Sequence, residues 1–163
     1  MAIQVPSEGM CLSTFLVLRP GGHRDQALLG HIDPSAPWGH IGAADPKRIV
    51  AWSKGWMLPS SQLLLFESPE DSARRIAREQ LGIELGKLPA PVLMSDAYER
   101  EAGPQELHWD LGFVYVLDGR PADPPRSSAW KDLRYETVSR IPRADFVRFQ
   151  DDVLRLVGLA SAD

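Results

Sequence analysis

Between positions 58 and 83 the chain reads LPSSQLLLFESPEDSARRIAREQLGI, a stretch dense in groups that can handle charge. Carboxylates stand at Glu67 and Glu79, a carboxamide at Gln80, and guanidinium groups at Arg74, Arg75 and Arg78. Carboxylate and amide oxygens are the ligands that hard cations such as magnesium take. Guanidinium groups grip carboxylates or phosphates through paired N–H donors. The chemistry open to this set is phosphate chemistry assisted by a divalent ion. A charge-assisted Glu67–Arg75 pair would instead be scaffolding that needs no metal. Glu79 has two readings, contact with a cation or a surface pair with Arg75 one turn earlier. The arginines also have two, a phosphate grip or a solvated helix face balanced by Glu70, Asp71 and Glu79.

A helix must position these groups, and its signals are local. Ser68 is an N-cap residue, Pro69 suits the first helical position, and Glu70 and Asp71 favour the positive end of the dipole. Ser68 with Asp71 approximates a capping box. Gly82 is a C′ stop. The helix is therefore expected over 69–81. At about 100° per residue, Ala73, Ile76, Ala77, Gln80 and Leu81 share a packing face. Asp71, Arg74, Arg75, Arg78 and Glu79 share the other, and Gln80 is the odd polar member of the packed face.

Strands are expected around that helix. LSTFLVL (12–18) is rich in β-formers and is stopped by Pro20-Gly21-Gly22; QALLGHI (26–32) follows as its hairpin partner. Residues 33–47 read as a long loop, RIVAW (48–52) as a short strand and SQLLLF (61–66) as another. A strand lies within 89–101, the strongest one at 107–118, and a last one at 133–138. Residues 120–130 form a turn-rich loop, and 149–159 an amphipathic closing helix. Strands before and after a central helix, with a terminal helix, indicate α/β or α+β with a mixed sheet.

Leu58-Pro59, Glu67, the helix and Gly82-Ile83 together resemble the Nudix hydrolase family. Its signature is G-x5-E-x7-R-E-U-x-E-E-x-G-U, with U bulky and apolar. Ser61 stands at the glycine, Glu67 at the first Glu, Arg75 at the Arg, Glu79 at the middle helical Glu, and Gly82 and Ile83 at the close. Ile76 and Gln80 stand where the pattern has its other two helical glutamates, and Ala77 is a small U. Trp56, Leu58 and Pro59 match the usual lead-in, with Ser60 and Ser61 in place of a glycine pair.

The resemblance covers most of the chain and implies a Nudix-type α/β/α sandwich around a mixed β-sheet, in one domain spanning 1–163. It implies hydrolysis of the pyrophosphate bond of a nucleoside diphosphate derivative, with magnesium or manganese as cofactor. Glu79, Glu67 and Gln80 would then be the metal contacts, and Glu79, Glu67 and Arg75 the catalytic set. The alternative is a Nudix fold that binds a nucleotide or a protein without cutting. With Ile76 and Gln80 in place of carboxylates, cleavage needs further acids, drawn from Glu67, Asp96, Glu99, Glu101, Glu106 and Asp110.

Other candidates weigh less. His31, Asp33 and His40 match no regular ligand spacing. Trp38, Trp52, Trp56 and Trp109 could stack on a base or pack in a core or subunit interface. His108 and Trp109 fall on opposite faces of a strand. Composition sets outer bounds: 163 residues, 44% hydrophobic and 25% charged, net charge −4. That is ordinary for a soluble domain and lacks the footprint of a general nucleic-acid binder. The single cysteine, Cys11, excludes an internal disulfide and reads as a small core residue. With no export signal or membrane anchor visible, a cytoplasmic location is expected. A nucleotide-type small molecule is the expected partner, and a homodimer stays open.

Overall fold

The computed structural model describes residues 10–38, 46–99, 107–147 and 150–162, with the backbone alone described for 46–48, 96–99 and 107–109. Among the described residues the order is β1 (Met10–Pro20), β2 (Gln26–Ile32), α1 (Pro46–Trp52), β3 (Ser60–Gln62), α2 (Pro69–Leu81), β4 (Val92–Glu99), β5 (Leu107–Arg120), β6 (Trp130–Thr137) and α3 (Gln150–Leu156). No helix among the described residues is long and apolar enough to cross a membrane.

β1 is the centre of the sheet. It runs parallel to β5, with Phe15 opposite Val114, and antiparallel to β3, with Thr14 opposite Ser61. β4 adds antiparallel to β5, giving the order β3-β1-β5-β4. β2 and β6 form a separate antiparallel pair. Alternation sends Leu16 and Leu18 of β1 to one face, where they pack with Ala73, Ile76, Ala77 and Leu81 of α2 and with Tyr115 and Leu117. Phe15 and Val17 go to the other face, with Val114 and with Val153 and Leu154 of α3. A strand covered on both faces reads as an unbroken apolar run, and Phe15 to Leu18 is such a run. The result is the expected α/β/α sandwich around a mixed sheet.

Several local expectations are corrected. The segment RIVAW is not a strand but most of α1. Pro46 fits a first helical turn, and Ile49, buried among Ile32, Trp38 and Met57, has Trp52 packed beside it one turn on while Val50 faces solvent. That 3.6-residue spacing outweighs the β-propensity of the residues. β1 and β2 do not form a hairpin: both edges of β1 are taken by β3 and β5, and β2 pairs with β6 instead. The strand expected over SQLLLF shortens to β3. Beyond Gln62 the chain turns, with Phe66 at φ 66° and the Glu67 N–H donating to the Leu64 carbonyl at 3.0 Å. The last strand starts earlier than 133, at Trp130.

Gly30 joins the two sheets' surroundings. Its N–H donates to the Met57 carbonyl at 3.0 Å, and the Met57 N–H returns a bond at 2.9 Å. A Cβ there would lie 2.5 Å from the Asp132 carbonyl oxygen and 2.6 Å from Trp130 Cε3. Gly30→Ala is therefore expected to cost about 3 kcal/mol or more, read as a fall in the urea midpoint. Phe66 is the reverse case, with a left-handed backbone and a side chain 98% exposed. Phe66→Gly removes backbone strain and loses no burial, so thermal unfolding should show it unchanged or more stable by up to about 1 kcal/mol.

Candidate functional site

α2 is fixed at both ends by its own sequence. Ser68 accepts the Asp71 N–H at 3.1 Å and donates its hydroxyl to Asp71 Oδ2 at 2.7 Å. The return bond of the expected capping box thus goes to the hydroxyl. Gly82 closes the helix at φ 67°, its N–H donating to the Arg78 carbonyl and that of Ile83 to the Ala77 carbonyl. The predicted packing face is the observed one: Ala73, Ile76, Ala77, Gln80 and Leu81 are all buried.

Arg75 departs from its expected place. Assigned by helical angle to the solvated face, it is buried, at 7% exposure. Its guanidinium meets Glu67 through two bonds, Nε to Oε1 at 2.6 Å and Nη2 to Oε2 at 2.9 Å. It also donates to the Gln62 carbonyl at 3.0 Å, to Ser61 Oγ at 3.3 Å and to Ser72 Oγ at 3.4 Å. Glu67 Oε2 in turn accepts the Leu64 N–H at 2.9 Å. One guanidinium thereby ties β3, the turn after it and α2 together. A buried cation needs such complete pairing to be tolerated.

The positions where the motif places its other helical glutamates are committed elsewhere. Ile76 is fully buried beneath α2 beside Leu16, Leu28 and Tyr115, worth about 1.5–3 kcal/mol as apolar burial. Gln80 is also fully buried: Oε1 accepts the Ser60 N–H at 3.2 Å and Nε2 donates to the Ser60 carbonyl at 2.8 Å. Its own backbone carbonyl accepts the Trp130 indole N–H at 2.9 Å. Glu79 is partly exposed, with Oε2 3.7 Å from Arg75 Nη1 and no hydrogen bond to that oxygen among the described residues. Of the candidates for metal contact, Glu67 is engaged by Arg75 and Leu64, Gln80 by Ser60, and Glu79 alone keeps an uncommitted acceptor.

Of the supplementary acids other than Glu67, Asp110 is the one whose side chain is among the described residues. Asp110 accepts from Ser13 Oγ at 3.3 Å. Ser13 shares the odd-numbered face of β1 with Phe15 and Val17, opposite the face covered by α2. Asp96 and Glu99 lie in β4, where only the backbone is described; Glu101 and Glu106 lie outside the described residues. Among the described residues no group of three or more His, Cys, Asp or Glu side chains could hold a metal ion. Glu67, Glu79 and Gln80 as placed here do not by themselves make a magnesium or manganese centre, which needs several converging oxygens.

The remaining candidates separate. Arg74 is pinned by Glu70 Oε1 at 2.7 Å and by the Leu85 and Gly86 carbonyls at 2.6 and 3.0 Å; Arg78 is exposed. Asp33 is bonded by Ser35, whose hydroxyl holds its carboxyl below the usual carboxylate range. His31 turns instead toward Trp56, with ring centroids 4.1 Å apart; His40 lies outside the described residues. Trp56 also carries the Arg134 guanidinium 4.9 Å from its ring. Trp38 is buried edge-on against Trp130, and Trp52 packs on the same cluster. Only the backbone is described for His108 and Trp109. Cys11 is buried, its Sγ meeting Gln62 Nε2 at 3.0 Å. Sequence reasoning missed Trp130, whose partner is a backbone carbonyl far along the chain, and the donors and acceptors of Ser60 and Ser72. The one available signal was Gln80, a polar residue on an apolar face.

Solved structures with the same fold include a MutT Nudix hydrolase from Burkholderia pseudomallei, with TM-score 0.62 and 16% identity over 92% of this chain and 99% of that one. A MutT protein from Methanosarcina mazei Go1 gives TM-score 0.56 and 15% identity over 94% and 96% of the two chains. The Nudix domain of Shewanella oneidensis NrtR, complexed with ADP ribose, gives TM-score 0.58 and 14% identity over 94% and 91%. No family model matches the sequence, and no curated protein matches it. The fold is that of the Nudix hydrolases.

The guanidinium hub makes a stability prediction. Glu67→Gln removes the carboxylate that hydrogen-bonds Arg75, leaving Glu79 at 3.7 Å as a charged neighbour, and is expected to cost about 2–4 kcal/mol. Arg75→Lys loses the two-pronged geometry and should cost a similar amount. Urea denaturation of both variants checks this, and a loss below about 0.5 kcal/mol in either would remove the hub from the account.

Proposed function

We propose that this chain is a Nudix-fold protein that binds a nucleoside diphosphate derivative, and that binding rather than metal-dependent cleavage is its activity. The ligand class is supported by the likeness to a Nudix domain complexed with ADP ribose. The observation that carries the non-cleaving reading is the commitment of positions 76 and 80. One side chain is core packing, and the other is spent on the Ser60 backbone. In this reading Glu67 and Arg75 are scaffolding for the turn before α2.

Pyrophosphate hydrolysis is the second reading, and one observation favours it. Glu79 keeps a carboxylate whose Oε2 takes no hydrogen bond among the described residues. Magnesium or manganese at Glu79 would need further oxygens, with Asp96, Glu99, Glu101 and Glu106 as the acids to supply them. In either reading the chain works as one domain on a small molecule.

The two readings part in one experiment. ADP-ribose, nucleotide sugars, dinucleotides and nucleoside triphosphates are titrated calorimetrically in excess EDTA. The same mixtures are then followed by phosphorus NMR with magnesium or manganese. The expected outcome is binding heat with at least one diphosphate derivative in EDTA and unchanged phosphorus spectra. Turnover with manganese that disappears in Glu79→Gln would establish hydrolysis in its place. No heat with any compound would sink the nucleotide reading.

A further inference from the structure

β3 lies at one end of the four-stranded order, so one side of it has no strand neighbour in that sheet. The Leu63 N–H donates to Leu12, and the Pro59 carbonyl accepts from Leu16. Odd-numbered residues here therefore face β1, and Ser60 and Gln62 turn their backbone groups outward. An unpaired strand edge is both a cost and an invitation to another strand. α2 covers this one with side chains. The Gln62 carbonyl accepts Arg75 Nη2 at 3.0 Å, and Gln80 takes both the N–H and the carbonyl of Ser60.

The Gln80 contact is chemically exacting. A carboxamide presents one acceptor and one donor side by side, as a peptide group does. Its two bonds to Ser60 extend the sheet by one peptide-like unit. An ionised carboxylate in the same pose could accept the Ser60 N–H. Its second oxygen would then face the Ser60 carbonyl oxygen at roughly the present 2.8 Å, oxygen against oxygen, in a fully buried place. Only a proton or a cation between the two would relieve that.

We infer that Gln80 is a fitted clasp and not a weakened metal ligand. Together with Arg75 it seals the β3 edge, so the helix–strand junction closes without any divalent ion. This inference rests on the geometry alone and stands whether or not the chain binds a nucleotide. Ile76 agrees with it, since the neighbouring motif position has been given to the core.

Thermal unfolding of the full chain tests it without any ligand. Wild type should melt at the same temperature in excess EDTA and in millimolar magnesium or manganese. Gln80→Met, similar in size but unable to make the paired bonds, should melt several degrees lower at every pH. Gln80→Glu should match wild type at low pH, where the protonated acid can still donate to Ser60. Ionisation is disfavoured in the folded state, so the folded pKa of this carboxyl lies above its unfolded value of about 4.3. Its penalty is therefore absent below that value and grows as the pH rises toward the folded one. If Gln80→Glu fails to fold at neutral pH but folds in acid, the inference is supported. A metal-induced rise in the wild-type midpoint would overturn it. So would a Gln80→Met or a neutral-pH Gln80→Glu protein as stable as wild type.

Discussion

A guanidinium buried to 7% exposure cannot be left half-paired, and the arrangement around Arg75 follows from that requirement. Its donors draw in the Glu67 carboxylate, the Gln62 carbonyl and the hydroxyls of Ser61 and Ser72. Glu67 can reach only if the chain turns back sharply after β3. The turn places Phe66 in a left-handed conformation that bulky residues avoid, with its ring in solvent. The strained residue and the buried ion pair are thus two parts of one junction, the second holding the first in place.

That junction divides the motif into what organises and what would coordinate. Glu67, Arg75 and Gly82 keep the helix in its place relative to β3. Ile76 packs in the core, and Gln80 pairs with the Ser60 backbone. Glu79 stands between the two groups, near enough to Arg75 to feel its charge and exposed enough to meet solvent. A chain that had merely lost its acids would leave holes or unsatisfied polar groups at those positions. Here Ile76 fills space among Leu16, Ala73 and Tyr115, and both polar atoms of the Gln80 carboxamide are bonded.

The helix over 69–81 was legible because its start, its stop and its buried stripe are written within the segment itself. The sandwich was legible through the motif that the helix carries. What eluded the sequence was contact between distant segments. Helical angle placed Arg75 with the solvated residues, because it says nothing about β3 lying over that side. Gln80 stood out as an anomaly, yet its partner is a backbone unit, and no residue type announces a backbone partner. RIVAW is β-prone by composition, and only the cluster around Ile32, Trp38 and Met57 makes it a helix. The pairing of β2 with β6 rather than β1 is likewise decided by which edges are already occupied.

The parallel ladder between β1 and β5 has a consequence for how the chain comes into being. Ser13 and Asp110, bonded across it, are 97 residues apart. β1 therefore leaves the ribosome long before the strand that shelters it, and its apolar run must wait. Closing so large a loop comes before the contacts that reward it, so assembly is slow relative to chains built from local pairings. During that interval the newborn polypeptide is open to misassociation through the very strand that later lies at its centre.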